Sequence, residues 1–150
     1  MSGIWKPNVT VAAVLERDQR FLVVEEETED GVRINQPAGH LEAGESLVEA
    51  VVRETLEETA YRFVPQALVG IYQWARPQGD VTYLRFAFSG VEAGHIADRA
   101  LDQGILRAVW LSVDELRACR GQHRSPLVMQ CVEDWLSGRR CGLDVLRCTD

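Results

Sequence analysis

The stretch Gly39–Tyr61, GHLEAGESLVEAVVRETLEETAY, constrains this chain more than any other part of it. Ser46 with Glu49 three residues later forms a capping box: the hydroxyl accepts a free backbone N–H, and the glutamate reaches back to the cap. This predicts a helix from Leu47 to about Ala60. At about 100° per residue, Leu47, Val48, Val51, Val52, Thr55 and Thr59 share one broad arc. Glu54, Glu57 and Glu58 fall on the arc beside it at spacings i, i+3 and i+4, so they are neighbours in space. Carboxylates this crowded repel one another. Either they point into water as a solvated acidic face, or a cation sits among them.

Three features favour the cation. The acidic arc touches the apolar arc, so part of it lies at the edge of a packed interface. The segment before the helix, Gln36-Pro37-Ala38-Gly39-His40, reads as a tight polar turn able to expose backbone carbonyls. Arg53 directly precedes Glu54, where a fixed guanidinium can hold carboxylates such as Glu45 in place.

Gly39, Glu45 and Arg53-Glu54-Thr55-Leu56-Glu57-Glu58-Thr59-Ala60-Tyr61 stand at the spacing Gly-x5-Glu-x7-Arg-Glu-U-x-Glu-Glu-x-Gly-U, with U a bulky aliphatic residue. This resembles the Nudix box, and every charged position of that pattern is present. The departures are Thr55 and Tyr61 at U positions and Ala60 in place of the last glycine. Thr55 has the shape of valine and Tyr61 is largely apolar, so both can pack. The glycine normally takes a positive φ at the helix end, a conformation that costs alanine about 1 kcal/mol.

The resemblance implies a function. Glu54, Glu57 and Glu58 would hold Mg²⁺, or Mn²⁺, with the Ala38 carbonyl completing the protein's share. One of these glutamates, or an acid from the later loop (Glu92, Asp98 or Asp102), would serve as base. Arg53 and Glu45 would orient the cluster and complete the catalytic set. Chemically, a phosphoanhydride carries charge that repels an attacking water, and hard oxygen ligands of this kind suit the divalent ions that relieve it.

Around that centre the chain reads as alternating short elements. Asn8–Glu16 and Phe21–Glu25 predict two strands joined as a hairpin through Arg17-Asp18-Gln19-Arg20. Glu25–Gly31 reads as a solvated charged loop and Val32–Gln36 as a short extended piece. Ala67–Arg76 and Val81–Ser89 predict a second hairpin across Pro77-Gln78-Gly79-Asp80. A regular register sets Trp74 opposite Tyr83, Tyr72 opposite Arg85 and Gly70 opposite Ala87. Val69, Ile71, Leu84, Phe86 and Phe88 then share a core face, while Tyr72, Trp74, Tyr83 and Arg85 share the other. Aromatic planes with a guanidinium suit a flat ring carrying phosphate; packing beneath the C-terminal helix is the alternative, open above all for Tyr72 and Tyr83. Val91–Gly104 reads as a loop and Ile105–Leu111 as a strand. Ser112 and Glu115 cap a short helix to about Cys119, and Ser125-Pro126 start the last helix, which reaches Ser137-Gly138. Cys141–Asp150 reads as an irregular end with a short strand at Leu143–Leu146.

The order predicts an α/β fold, a mixed β-sheet sandwiched between helices (α/β/α), in a single domain over residues 1–150. The resemblance narrows this to the Nudix fold. A net charge of −7 argues against a nucleic-acid surface, and no apolar run suits a membrane span. Met1–Pro7 has no signal core, so the expected location is the cytoplasm. Cys119, Cys131, Cys141 and Cys148 have neither C-x-x-C spacing nor a histidine pair, so free thiols are expected rather than zinc, with a disulfide as the alternative.

Outside the box, Asn8–Ala12, Phe21–Glu26, Asn35–Ala43, Leu47–Ala50, Gln73-Trp74, Leu84-Arg85-Phe86, Trp110-Leu111-Ser112 and Arg124–Val128 resemble the NudJ-type phosphatase subgroup of the Nudix family. That resemblance implies Mg²⁺-dependent release of orthophosphate from nucleoside di- and triphosphates, and action on hydroxymethylpyrimidine pyrophosphate, a thiamine precursor. Tyr72, Trp74, Tyr83 and Arg85 would be the substrate contacts of a monomer or homodimer. Two alternatives stay open: a Nudix pyrophosphohydrolase of dinucleoside polyphosphates or dinucleotide cofactors, and a non-catalytic nucleotide-sensing module, which would be expected to lose box carboxylates.

Overall fold

The computed structural model describes residues 3–149. Met1, Ser2 and Asp150, the ends of the two terminal stretches read above, lie outside the described residues. Strand β1 (Asn8–Arg17) is the middle of a seven-stranded mixed sheet. It runs parallel to β6 (Thr82–His95) from Asn8 to Leu15, and antiparallel to the short β4 (Ala38–His40) through Thr10–Ala12. β5 (Tyr61–Ala75) closes the β6 side. On the other side β1 passes to β2 (Arg20–Thr28), which β3 (Gly31–Asn35) and β7 (Ile105–Ser112) flank. Val11 to Leu15 are buried without a break, as a central strand covered on both faces requires.

Helix α1 (Leu47–Thr59) covers one face, packing Ala50 and Val51 on Val11, Ala13, Leu22 and Phe88. α2 (Val113–Ala118) and α3 (Leu127–Leu136) cover the other, with Leu116, Met129 and Val132 against Val14, Val23 and Ala87. The expected α/β/α sandwich is the one observed. Both capping boxes form: Ser46 Oγ accepts from the Glu49 N–H, and Ser112 Oγ from the Glu115 N–H, each at 3.1 Å. Among the described residues no helix is long and apolar enough to cross a membrane.

Several boundaries differ from the sequence expectation, each for a physical reason. The first hairpin pairs only at its root, Glu16 with Phe21 and Arg17 with Arg20, around a turn in which Asp18 and Gln19 both take positive φ (52° and 64°). That is the twist a two-residue hairpin turn demands. Glu25–Thr28, expected as solvated loop, continues β2 because cross-strand partners neutralise its charge. Arg107 grips Glu25 with two bonds of 2.8 Å, and Arg124 donates to Glu26 at 2.6 Å.

The second hairpin is longer at its base: β5 starts at Tyr61, and β6 runs to His95 through what was expected to be loop. β5 is an edge strand, where Pro65 is tolerated beside an irregularity in pairing. The expected pairs hold at Gly70–Ala87, Tyr72–Arg85 and Trp74–Tyr83, but the register shifts between Leu68 and Gly70. Side-chain parity reverses there. Val69 therefore leaves the predicted core face and joins Ala87 under α3, while Leu68 packs with Phe88 and Ile71 is 55% exposed. At the C-terminus the predicted strand at Leu143–Leu146 is instead a 3₁₀ turn, Leu143–Val145, following a two-way backbone bridge between Cys141 and Leu68. All four cysteines are free thiols.

Ala60 takes φ +62°, ψ 12°, the left-handed cap that its family's glycine would occupy, and its N–H closes on the Leu56 carbonyl at 2.9 Å. Ala60→Gly should therefore stabilise the fold by about 0.5–1 kcal/mol, the relief of an alanine Cβ less the entropy glycine adds to the unfolded chain. A rise in melting temperature of about 1–3 °C checks this, and a fall would show that the cap carries no strain.

Candidate functional site

The buried stripe of α1 is Ala50, Val51, Glu54, Thr55, Glu58 and Thr59, so two of the three expected ligands lie on the inner side of the helix. Val52, expected on the apolar arc, is only half-buried. The two threonines belong inside because their hydroxyls bond back along the helix, Thr55 to the Val51 carbonyl (2.7 Å) and Thr59 to the Thr55 carbonyl (2.6 Å). Glutamates on such a stripe need partners, and the edge of β4 supplies them.

Ala38–His40, read from sequence as a tight turn, is a strand, and its alternation explains the geometry. Pro37 and Leu41 bond to β1 (Ala13 N–H to Pro37 O, 2.9 Å; Leu41 N–H to Val9 O, 3.0 Å), so the backbone groups of Ala38 and His40 point the other way, toward α1. The Ala38 N–H donates to Glu58 Oε1 at 2.9 Å, and the His40 carbonyl accepts from Arg53 Nη2 at 3.0 Å. The Ala38 carbonyl faces the same edge. Between them Gly39 admits the Glu54 carboxyl to space that a Cβ would fill.

Arg53 gathers the acids. Its Nε and Nη2 grip both oxygens of Glu45 (3.0 and 2.7 Å), and its Nη1 reaches Glu54 (2.7 Å) and Glu57 (3.3 Å). The Arg53 hydrogen bond holds the Glu45 carboxyl below the usual carboxylate range, and the guanidinium itself is raised. Burial outweighs Arg53 at Glu54 and raises it; burial, then Asp102, raises Glu57. Glu58 is pushed up to about 8, chiefly by burial, with the Ala38 amide pulling the other way.

Glu54, Glu57 and Asp102 each offer a carboxylate oxygen within 4.8 Å of the others. Of the three later acids considered from sequence, Asp102 is the one that joins. Its loop is clipped to carbonyls of the helix end, Ile96 N–H to Ala60 O and Asp102 N–H to Glu57 O, both 2.9 Å. Glu92 instead turns to the Gly94 N–H, and Asp98 is exposed. No sequence pattern marked Asp102 from its neighbours; the selection is made by the helix's orphan carbonyls. Hard oxygen donors this close, with Glu58 and a strand-edge carbonyl beside them, fit a hexacoordinate divalent ion such as Mg²⁺ or Mn²⁺.

A cleft of about 540 Å³ runs from Ala38, Gly39, Glu54 and Glu58 to Arg85, Trp74 and Tyr83. Trp74 and Tyr83 lie nearly parallel, 14° between planes and 6.1 Å between centroids. Tyr72, the fourth expected substrate contact, is not part of the cleft lining. Its hydroxyl donates to Asp134 of α3 at 2.7 Å, the packing alternative, and burial raises its pKa. Sequence reasoning gave no substrate role to Arg33, Asn35 or Arg124, which also line the cleft; the pairing of β3 with β2 and the start of α3 bring them there.

The NUDIX domain model matches residues 6–131. The phosphatase NudJ of Escherichia coli K12 is 40% identical over 144 residues, covering 95% of this chain and 92% of that protein. Among solved structures, a NUDIX hydrolase from Nitrosomonas europaea is 53% identical with a TM-score of 0.93, covering 96% of this chain and 98% of that one. The NUDIX domain of Shewanella oneidensis NrtR, solved with ADP ribose, shares the fold at 17% identity and a TM-score of 0.71, covering 90% of each chain.

Because the Glu58 pKa in the folded protein lies above its unfolded value, the folded state holds the extra proton between about pH 4.5 and 8. Its contribution to stability is complete below that window and is lost as pH rises through it. In chelator, the melting temperature should fall from pH 5 to pH 8.5, and Glu58→Gln should flatten that fall. An unchanged slope in the variant would mean that Glu58 ionises freely in the fold.

Proposed function

The chain belongs to the NUDIX domain family, and from that premise we propose that it is a Mg²⁺-dependent phosphatase of nucleoside di- and triphosphates, releasing orthophosphate, and of hydroxymethylpyrimidine pyrophosphate. As a Nudix hydrolase with NudJ phosphatases among its relatives, it acts on phosphoanhydride bonds. The observation that carries the finer reading is one cleft lined by Glu58 and by Glu54, a member of the converging carboxylate group, at one end and by a stacked Trp74–Tyr83 pair at the other. Such a cleft suits a ring joined to a phosphate chain.

Glu54 and Glu57, joined by Asp102, would hold Mg²⁺ or Mn²⁺, with Glu58 and the Ala38 carbonyl completing the ligands. When bound, the ion offsets the charge on the phosphate oxygens and makes a water easier to deprotonate. The chain's own residues do the rest. Arg53 fixes the Glu54 and Glu57 carboxyls, and Glu45 fixes Arg53, so the set keeps its geometry when a substrate's charge arrives. A carboxylate of this group accepts the proton of the attacking water. Trp74 and Tyr83 hold the ring, and Arg85 supplies positive charge along the cleft. The whole chain works as one domain, in the cytoplasm, on a small-molecule substrate.

Glu57→Gln and Glu58→Gln proteins should stay folded and lose most Mg²⁺-stimulated phosphate release, whereas Glu45→Gln should lose about 10- to 100-fold. Unchanged turnover in the first two would refute the metal assignment. With a nucleoside triphosphate and Mg²⁺ the expected product is orthophosphate; pyrophosphate would move the enzyme to another Nudix specificity. Trp74→Ala should weaken nucleotides more than inorganic tripolyphosphate, and equal losses would remove Trp74 from the ring site.

A further inference from the structure

Among the described residues Arg85 is the one buried arginine, with 5% of its surface exposed, and no carboxylate pairs with it. Its partners are neutral. Nη1 donates to Gln36 Oε1 at 2.9 Å and lies 3.9 Å from Cys131 Sγ; Nη2 donates to Asn35 Oδ1 at 3.0 Å. A guanidinium carries five N–H donors. The Nε–H and the second Nη2–H make no hydrogen bond among the described residues, and Arg85 lines the cleft. In a guanidinium the Nε–H and one Nη2–H share an edge, the edge with which Arg53 grips Glu45. A buried, uncompensated cation with two unused donors matches an anion with paired oxygens.

Gln36 decides which donors stay unused. It is 2% exposed, and its Nε2 donates to the Val128 carbonyl of α3 at 2.7 Å. That bond fixes the amide, because reversing it would set an NH₂ against Nη1. Oε1 is therefore held toward Arg85, where it takes Nη1 while Asn35 takes Nη2.

The place of Arg85 in the sheet says which anion. Thr10 of β1 is paired with His40 on one side and Arg85 on the other, so Arg85 stands two strands, about 10 Å, from the β4 edge that meets the carboxylates. Tyr83, paired with Trp74, lies two residues further along β6, about 7 Å away. Arg85 thus sits between the carboxylate centre and the aromatic pair.

We propose that Gln36 is a positioning residue that aims the free edge of Arg85 into the cleft, where it grips the phosphate that stays with the ring-bearing product. This rests on the proposed phosphatase reading and adds the substrate's anatomy: one phosphate at the carboxylates, a second at Arg85, and a ring on Trp74 and Tyr83. Ring-bearing diphosphates and triphosphates satisfy all three places. Monophosphates satisfy only the last two and bind as products.

The test uses that product, so it needs neither metal nor turnover. A pyrimidine nucleoside 5′-monophosphate and the parent nucleoside are titrated calorimetrically into the chelator-treated full chain. Wild type, Arg85→Lys, Gln36→Met and the double variant are compared, with melting curves to confirm folding. Arg85→Lys and Gln36→Met should each weaken the monophosphate about tenfold, leave the nucleoside unchanged, and fail to multiply in the double variant. Losses that multiply would overturn the positioning role, since Gln36 would then act apart from Arg85. Equal losses on the nucleoside would overturn the phosphate assignment, and so would a wild type that ignores the monophosphate. If Gln36→Met does not fold, Asn35→Ala takes its place in the same cycle, with the same non-additivity expected. Orthophosphate release from the diphosphate with Mg²⁺, assayed on the same wild-type sample, reports separately on the phosphatase reading.

Discussion

The contact between α1 and the free edge of β4 is where this structure carries its greatest electrostatic load. Two glutamates, Glu54 and Glu58, lie on the buried stripe of a helix, a placement that disfavours their charged forms unless partners are close. The strand supplies an amide to Glu58 and a carbonyl to Arg53, and through Gly39 it supplies room for the Glu54 carboxyl. Arg53 then ties Glu45, Glu54 and Glu57 into one set. Even so, burial leaves Glu54, Glu57 and Glu58 all shifted toward the protonated form. A site whose carboxyls are raised by burial and by one another is one that a divalent cation relieves, and this couples the fold of α1 to its chemistry.

That load is held by ordinary backbone bookkeeping at the helix end. The last turn of any helix leaves carbonyls without internal partners. Here the Glu57 and Ala60 carbonyls accept from the loop after β6, and the same bonds that finish the helix deliver Asp102 to Glu54 and Glu57. Ala60 can take the left-handed cap without glycine because the chain must turn at once into β5, whose first residue, Tyr61, packs on Trp110 at 5.5 Å. The alanine is strained locally and held by tertiary contacts on both sides.

Much of the site was legible in the sequence because it is local. The capping box, the i, i+3, i+4 acids, the Arg53–Glu45 pair and the left-handed end all fall within one helix and its approach, where spacing fixes geometry. The hairpin register was equally readable, since a short turn counts residues outward in pairs, and Trp74 did meet Tyr83. What the sequence hid depends on neighbours far along the chain. The parity reversal at Leu68–Gly70 follows from pairing irregularities on an edge strand. Glu25–Thr28 becomes strand only because Arg107 and Arg124 arrive from distant elements. Asn35 and Gln36 matter through Arg85, about fifty positions away, and no periodicity connects them.

The divergent fates of Tyr72 and Arg85 show how one boundary separates core from cleft. The two are cross-strand partners on the same face of the sheet; by sequence both were substrate-contact candidates, with packing under the C-terminal helix the open alternative for Tyr72. The difference is set by where α3 begins. Ser125 Oγ accepts the Leu127 N–H at 3.1 Å, and the Arg124 N–H bonds the Ile34 carbonyl at 2.8 Å, pinning the helix start beside the end of β3. From that point α3 runs over Tyr72, whose hydroxyl Asp134 captures, and reaches Arg85 through Cys131, leaving Trp74 and Tyr83 half-buried at the cleft. Arg85 lies at the margin, anchored by Gln36 to the first turn of the same helix and open to the cleft on its other edge. The serine–proline start of α3, with Arg124, Ser125 and Leu127 in the cleft lining, thus bounds the cleft on this side as much as the strands do.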